Sequence, residues 1–411
     1  MNGMDSFEGN LPRRRRQGIA WRLVFQASTV IGIVVLSALL YNVINQSFGL
    51  AALEYEMDPA SLAVDGVPLE ELSQEQLVQI FQANVSAGLY RRYDFEVPLA
   101  DRPRQEIYDL VQERVLEPRV IVTWTLFETL FEREAIEAEL LQKYPGAQLE
   151  FLSWLNPEFV QRPQSSEALR AGVRTAILGS LWVISITLIF AFPIATGAAI
   201  YLEEYAPDTR LTRLIQTNIN SLAGVPSIIY GILGLAIFVR FMQPLTSGAV
   251  FGLVDDPTTA NGRTILAAGL TLGLLIMPII IINAQEAIKA VPNSLRNASY
   301  GLGATQWETI WSHVLPSALA GILTGTILAV SRAVGETAPL VVIGASTFIL
   351  FDPEGPFSKF TTLPIQIFQW TARPQAEFRN LAAAASLALL VLLLALNAAA
   401  VLLRNRYSRR T

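Results

Sequence analysis

The 411-residue sequence contains no cysteine and a single histidine, His313. The first absence excludes a disulfide framework, a cysteine-ligated metal site and thiol catalysis. The second leaves no histidine cluster, and no metal site is read from the chain. Charge is scarce as well: 16% of residues are charged and 52% hydrophobic, whereas an average soluble domain is roughly a quarter charged. This composition argues against a single soluble domain. The formal net charge of −5 conceals a division, because residues 50–160 hold 21 acids against 8 bases and the remainder holds 14 acids against 22 bases. Two environments are implied.

Runs without Asp, Glu, Lys or Arg map the apolar part, since a membrane span needs about 20 mostly apolar residues. Five such runs cover 23–53, 175–202, 214–239, 264–285 and 380–403. A sixth, 309–331, is followed by Arg332 and Glu336 and then by a further apolar stretch, 337–351. The reading is an all-α polytopic membrane protein with six spans, the fifth of them interrupted. Bases in short loops set orientation: Arg13 to Arg16 and Arg22 before the first span, and Arg404, Arg406, Arg409 and Arg410 after the last, predict that both ends are cytoplasmic. Residues 1–22 and 404–411 are then inside, and 23–45 is a first span read as an uncleaved anchor, being longer than a signal-peptide core. Residues 46–165 form an acidic extracytoplasmic insertion. Residues 166–403 are the main transmembrane domain, with a cytoplasmic loop at 284–314.

The insertion shows apolar residues at helical spacing among its acids over Leu69 to Leu89 and Val120 to Tyr144, with Leu126, Leu130 and Phe131 on one face. It reads as a mostly helical cap, or as a docking surface for another protein.

In the loop, Pro292 marks the start of a helix over 293–302. Gly301 and Gly303 can supply the positive φ that closes it. Thr305 and Glu308 then form a capping box opening the next helix, and Pro316 leads into span five. A helix-turn-helix of this kind raises nucleic acid as a partner, but Lys289 and Arg296 are the loop's only bases, too few for the phosphate contacts that nucleic-acid affinity requires. Thirty ordered residues are long for a plain connection, and such loops are usually functional.

Arg332 and Glu336 stand four residues apart, on one face of a helix. A charge in mid-bilayer costs at least ~2.5–3.5 kcal/mol and by default faces a wet cavity or a partner. A guanidinium matches the oxygens of an oxyanion, and Glu336 can hold that fork while a path is empty. The competing reading is an ion pair that fixes packing. Pro226, Ser227 and Tyr230 in span three are open to either packing or pathway contact, and Gly321 and Gly325 form a close-packing GxxxG pattern.

The loop resembles the cytoplasmic coupling motif of binding-protein-dependent ABC importer permeases: Glu-Ala-Ala, three residues, Gly, nine residues, Ile, one residue, Leu-Pro. The frame falls on Asn297, Ala298, Ser299, Gly303, His313, Leu315 and Pro316 with every spacing kept; Asn297 replaces the usual Glu and His313 an aliphatic residue. The runs GVPSIIYGILGL (224–235), SRAVGETAPL (331–340) and LPIQIFQWTARP (363–374) together are similar to phosphate-import permeases of the PstA type. The resemblance covers about 165–411 plus the first span, and SWLNPEF (153–159) resembles longer members.

That resemblance implies the six-helix, MetI-like permease fold in the cell inner membrane, with no enzymatic chemistry of its own. It implies a pathway site at Arg332, Glu336 and Thr337, with Ser227 and Tyr230 as secondary candidates, and ATPase coupling through Asn297, Ala298, Ser299, Gly303, Ala304 and Thr305. No cofactor is expected. The implied partners are PstB-like ATPase subunits, a PstC-like second permease, a PstS-like extracytoplasmic phosphate-binding protein and the lipid membrane. The chain has no Gly-x-x-x-x-Gly-Lys-[Ser/Thr] phosphate loop, so ATP hydrolysis is assigned to a partner. A permease for sulfate or molybdate, or an ion-coupled secondary transporter, stands as the alternative; the latter predicts an internal repeat with paired broken helices, and none is found.

Overall fold

The computed structural model describes residues 11–408 apart from 58, 65, 97, 254–260, 346–347 and 350; Arg409 and Arg410 of the basic tail lie outside the described residues. The chain opens with α1 (Leu11–Ser47), which runs straight into β1 (Phe48–Glu54). A helical lobe of α2 (Gln74–Asn84), α3 (Ala87–Glu96) and α4 (Arg104–Val111) follows. Then come β2 (Arg119–Thr123), α5 (Leu126–Phe131), α6 (Arg133–Lys143), β3 (Gln148–Ser153) and α7 (Pro157–Gln161). The apolar part consists of α8 (Arg174–Ile200), α9 (Arg210–Ala223), α10 (Ser227–Gly234), α11 (Gln243–Thr246), α12 (Ile265–Lys289) and α13 (Asn293–Gly301). It ends with α14 (Gln306–Thr309), α15 (Leu315–Val334), α16 (Ala338–Ile343), α17 (Leu363–Thr371) and α18 (Ala376–Ser408).

Among the described residues, five continuous helical units are long and apolar enough to cross a membrane: Arg13–Ser47, Arg174–Tyr205, Ile265–Lys289, Gln306–Val334 and Ala376–Arg406. A sixth is the pair Arg210–Ala223 and Ser227–Phe241, bent by 105°. The charge-free run 214–239, expected as one span without an interruption, is thus two helices. Pro226 has no N–H to continue a helix and pushes Val225 out of the α region, so α9 stops at Ala223 and α10 begins behind the proline. The Tyr230 hydroxyl donates to the Leu222 carbonyl at 2.8 Å, a carbonyl in the last turn of α9 that also accepts from the Val225 N–H at 3.0 Å.

Span five differs in the opposite sense at its start. Pro316 lies within the continuous unit Gln306–Val334, because a π-type turn over Ile310–Val314 precedes it and accommodates the missing donor. The interruption expected after Arg332 is present: α15 ends at Val334 and α16 restarts at Ala338, with Pro339 in its first turn.

Small residues let the central helices close. Cβ atoms built on Gly269 and Gly273 of α12 would strike Ile186 and Phe190 of α8, and one on Gly325 of α15 would lie 2.3 Å from Asn283 Cβ of α12. Gly321 similarly faces Ala287, so the GxxxG pattern packs α15 on α12.

The insertion contains a sheet that the apolar spacing did not disclose. β1 pairs antiparallel with both β2 and β3, in the order β2-β1-β3. The stretch expected to be helical from Val120 onward is β-strand to Thr123 and helical only from Leu126. Its β-branched residues favour a pleated surface, and the pairing opposite Ala51 and Ala52, both fully buried, decides the outcome. The helical lobe has a core of its own built on Leu72, Leu77, Phe81, Ile107 and Val111.

Candidate functional site

The two helix breaks meet. A Cβ on Gly231 of α10 would stand 2.6 Å from Pro339 Cα of α16, so the helix carrying Ser227 and Tyr230 packs directly on the helix that Thr337 opens. Irregular backbone at membrane depth persists only where protein or a polar cavity covers it, and here the helices that restart after the two breaks pack on each other. Ser227 is half-buried at the first turn of α10. The Tyr230 oxygen is committed to the Leu222 carbonyl across the bend.

Arg332 Nε donates to Glu336 Oε1 at 3.2 Å. Arg332 sits in the last turn of α15, where a cation complements the helix C-terminus, and Glu336 sits in the break itself, its N–H donating to the Ala333 carbonyl. The pair therefore bridges a helix end and not two turns of one helix, as i,i+4 spacing alone suggests. The Glu336 side chain is 15% exposed and that of Arg332 44%: the carboxylate is held in and the guanidinium projects from the protein. Chemically this is a tethered cation beside a helix break, suited to an oxyanion.

A second constellation lies in the loop after α12. The Thr305 and Glu308 capping box forms as expected, with Glu308 Oε2 accepting from the Thr305 N–H at 2.8 Å. Gly303 has φ of +87°, the left-handed turn that glycine tolerates without a Cβ penalty; Gly301 remains helical as the last residue of α13. Ser299 is buried, and its hydroxyl shares a 2.9 Å hydrogen bond with that of Thr309, while the Ala304 N–H donates to the Ser299 carbonyl. Asn297 and Ala298 point outward. Around them Tyr300, Leu302, Trp307 and Trp311 are exposed, Leu302 to 91%, leaving an apolar surface on this loop.

What holds the loop was not anticipated from the sequence. Arg296 Nη2 donates to Glu204 Oε1 at 2.7 Å and to the Ile288 carbonyl at 3.0 Å, and its Nη1 donates to the Val291 carbonyl at 2.6 Å. The two side chains are 14% and 8% exposed. One guanidinium thus ties α13 to the Ile288 carbonyl of α12, to the Val291 carbonyl just beyond that helix and to the π-type turn Tyr201–Tyr205 that extends α8. Gln306 adds a bond to the Glu204 carbonyl, and Lys289 approaches Glu203 at 3.4 Å. The signal in the sequence was an acidic pair directly after an apolar run, but its partner stands 92 residues away.

Residues 191–411, more than half of the chain, match the family of binding-protein-dependent transport system inner membrane components. A probable ABC transporter permease, YqgI of Bacillus subtilis (strain 168), is 32% identical over 220 residues, which are 53% of this chain and 68% of that one. The phosphate transport system permease protein PstA of Pasteurella multocida (strain Pm70) is 32% identical over 229 residues, 56% of this chain and 74% of its own. PstC of the same organism is 36% identical over 200 residues, 47% and 62% of the two chains. These matches each cover 47–56% of the chain. By this match and by its interrupted, small-residue-packed spans, the chain belongs to the binding-protein-dependent transport system inner membrane components, the permease family of ABC importers.

Proposed function

We propose that the chain is a permease subunit of an ATP-driven importer of inorganic phosphate, with α13, both termini and the Arg296 knot on the cytoplasmic side of the cell inner membrane. The observation that carries this reading is the tethered Arg332 at the junction of two broken helices. A guanidinium fork beside open backbone recognises a tetrahedral oxyanion by charge and paired hydrogen bonds. Glu336 keeps the fork oriented when the path is empty and weakens its hold when phosphate is bound, so that the anion is attracted but released. Thr337 at the start of α16 and Ser227 at the start of α10 are further hydroxyls proposed for the path. The names of the PstA and PstC relatives support phosphate over sulfate or molybdate.

ATP hydrolysis belongs to separate PstB-like subunits. Asn297 and Ala298, exposed amid Tyr300, Leu302, Trp307 and Trp311, present a shape-based docking surface, and Asn297 brings no charge to it. A PstC-like permease completes the path, and a PstS-like extracytoplasmic protein delivers the anion. In this scheme, closure of the ATPase pair displaces α13. The Arg296–Glu204 knot then moves the ends of α8 and α12 with it, and α12 carries α10 through the contact of Gly234 with Thr271.

The test is uptake of labelled phosphate by the chain co-reconstituted with those three partners. ATP-dependent uptake that excess sulfate and molybdate do not suppress is expected. Competition by sulfate or molybdate would reassign the anion, and uptake that persists with a hydrolysis-dead ATPase would make the chain a secondary transporter.

A further inference from the structure

We infer that α5 is a membrane-surface anchor: its outer face lies in the lipid interface and holds the insertion down on the bilayer. The helix reads Leu-Phe-Glu-Thr-Leu-Phe, and Phe127, Leu130 and Phe131 are 46%, 67% and 72% exposed. Spaced i, i+3, i+4, they share one face, and the rings of Phe127 and Phe131 stand 4.7 Å apart. An exposed contiguous apolar patch of this kind marks a contact, and three observations identify lipid as what it contacts.

The first is height. The Phe127 N–H donates to Asn45 Oδ1 at 2.7 Å, which fixes the start of α5 to a known level of α1. Arg22 is the last charged residue before the apolar run of α1. From there to Asn45 a helix rises about 35 Å at 1.5 Å per residue, close to the ~30 Å hydrocarbon thickness. Asn45 therefore stands at the bilayer boundary, and α5 with it.

The second is continuity. The outer turns of α1 beside this tether are themselves apolar and open, with Tyr41 55% and Ile44 37% exposed, so the α5 face extends a surface already turned to the membrane. The third is charge. Glu128, the one ionisable residue inside α5, is folded back on the helix start, its carboxylate accepting from the Thr125 N–H at 2.7 Å and the Thr125 hydroxyl at 2.9 Å. The opposite side of the helix is pinned to the sheet, the Thr129 hydroxyl accepting from the Leu50 N–H at 2.9 Å. What remains facing outward is two rings and an isobutyl group, the composition of an interfacial helix face.

Because the sequence has no cysteine, single-cysteine labelling tests the inference directly. Spin labels are placed at Phe131→Cys on α5, at Ile33→Cys on the open face of α1, and at Ala83→Cys on the exposed side of α2. Collision with dissolved oxygen and with a water-soluble nickel chelate is measured on the complete transporter in lipid nanodiscs, variants that retain the partner subunits being used. The expected result is an oxygen-to-nickel ratio at 131 that is several-fold above that at 83 and approaches that at 33. A ratio at 131 equal to that at 83 would place the face in water and overturn the inference. Exclusion of both reagents at 131 would show a protein cover, the second permease or the delivering protein, and overturn it equally. The readout is independent of which anion is carried.

Discussion

At the scale of single residues, Arg332 and Glu336 were visible as charges stranded between apolar runs, and their 3.2 Å pair gives that anomaly a geometry. Arg332→Gln removes the fork. Phosphate uptake should fall at least about tenfold at normal subunit levels, the factor matching the ~1.5 kcal/mol of a hydrogen bond to a charged group. Glu336→Gln should impair uptake as well; unchanged transport in both variants would reduce the pair to a packing device. Tyr230 has a different weight. With its hydroxyl spent on Leu222, Tyr230→Phe should lower the thermal midpoint of the purified complex by an amount corresponding to ~1 kcal/mol and leave the apparent affinity for phosphate unaltered. A changed affinity would return the hydroxyl to the pathway. Ser299, by contrast, is buried and bonded to Thr309, an internal brace for the loop and not part of its outer face, which a triplet pattern cannot reveal because burial depends on what packs above it.

At the scale of elements, the contact of α10 with α16 depends on the absence of a side chain at Gly231. Gly231→Val would drive a branched side chain into Pro339, and overpacking of this kind costs about 1–3 kcal/mol; reduced thermal stability together with lost uptake is expected, measured against Gly231→Ala as the milder step. The Arg296–Glu204 knot makes the loop and the ends of two spans one mechanical unit. Arg296→Lys keeps the charge but loses the fork that reaches Glu204, Ile288 and Val291 together. The complex should therefore still hydrolyse ATP, with phosphate moved per ATP falling about tenfold, a coupling loss of the ordinary size. Proportional loss of both activities would mean that the knot serves assembly alone. The broken third span was partly legible, since Gly224-Val225-Pro226 is a helix-ending run, yet the 105° bend comes from what α9 and α10 pack against.

At the scale of the whole molecule, composition alone determined a great deal. An absence of cysteine, sparse charge and six apolar runs specify a multi-pass helical membrane protein, because the bilayer admits so few backbone solutions. The division of charge at residues 50–160 set that stretch apart from the apolar remainder, and motif spacing located the loop at 285–316 together with its capping box, since caps and turns are set by neighbours in sequence. Contacts between distant segments were beyond such reading. The strand at Arg119–Thr123 exists because β1, about seventy residues earlier, offers it a buried edge. Glu204 finds Arg296 across 92 residues, and the two helix breaks become one junction only when Gly231 lets α16 approach. Local hydrogen-bonding and hydrophobicity are written residue by residue; which charge meets which, and which gap is filled, is decided by packing, whose terms belong to pairs of segments that the linear order does not place side by side.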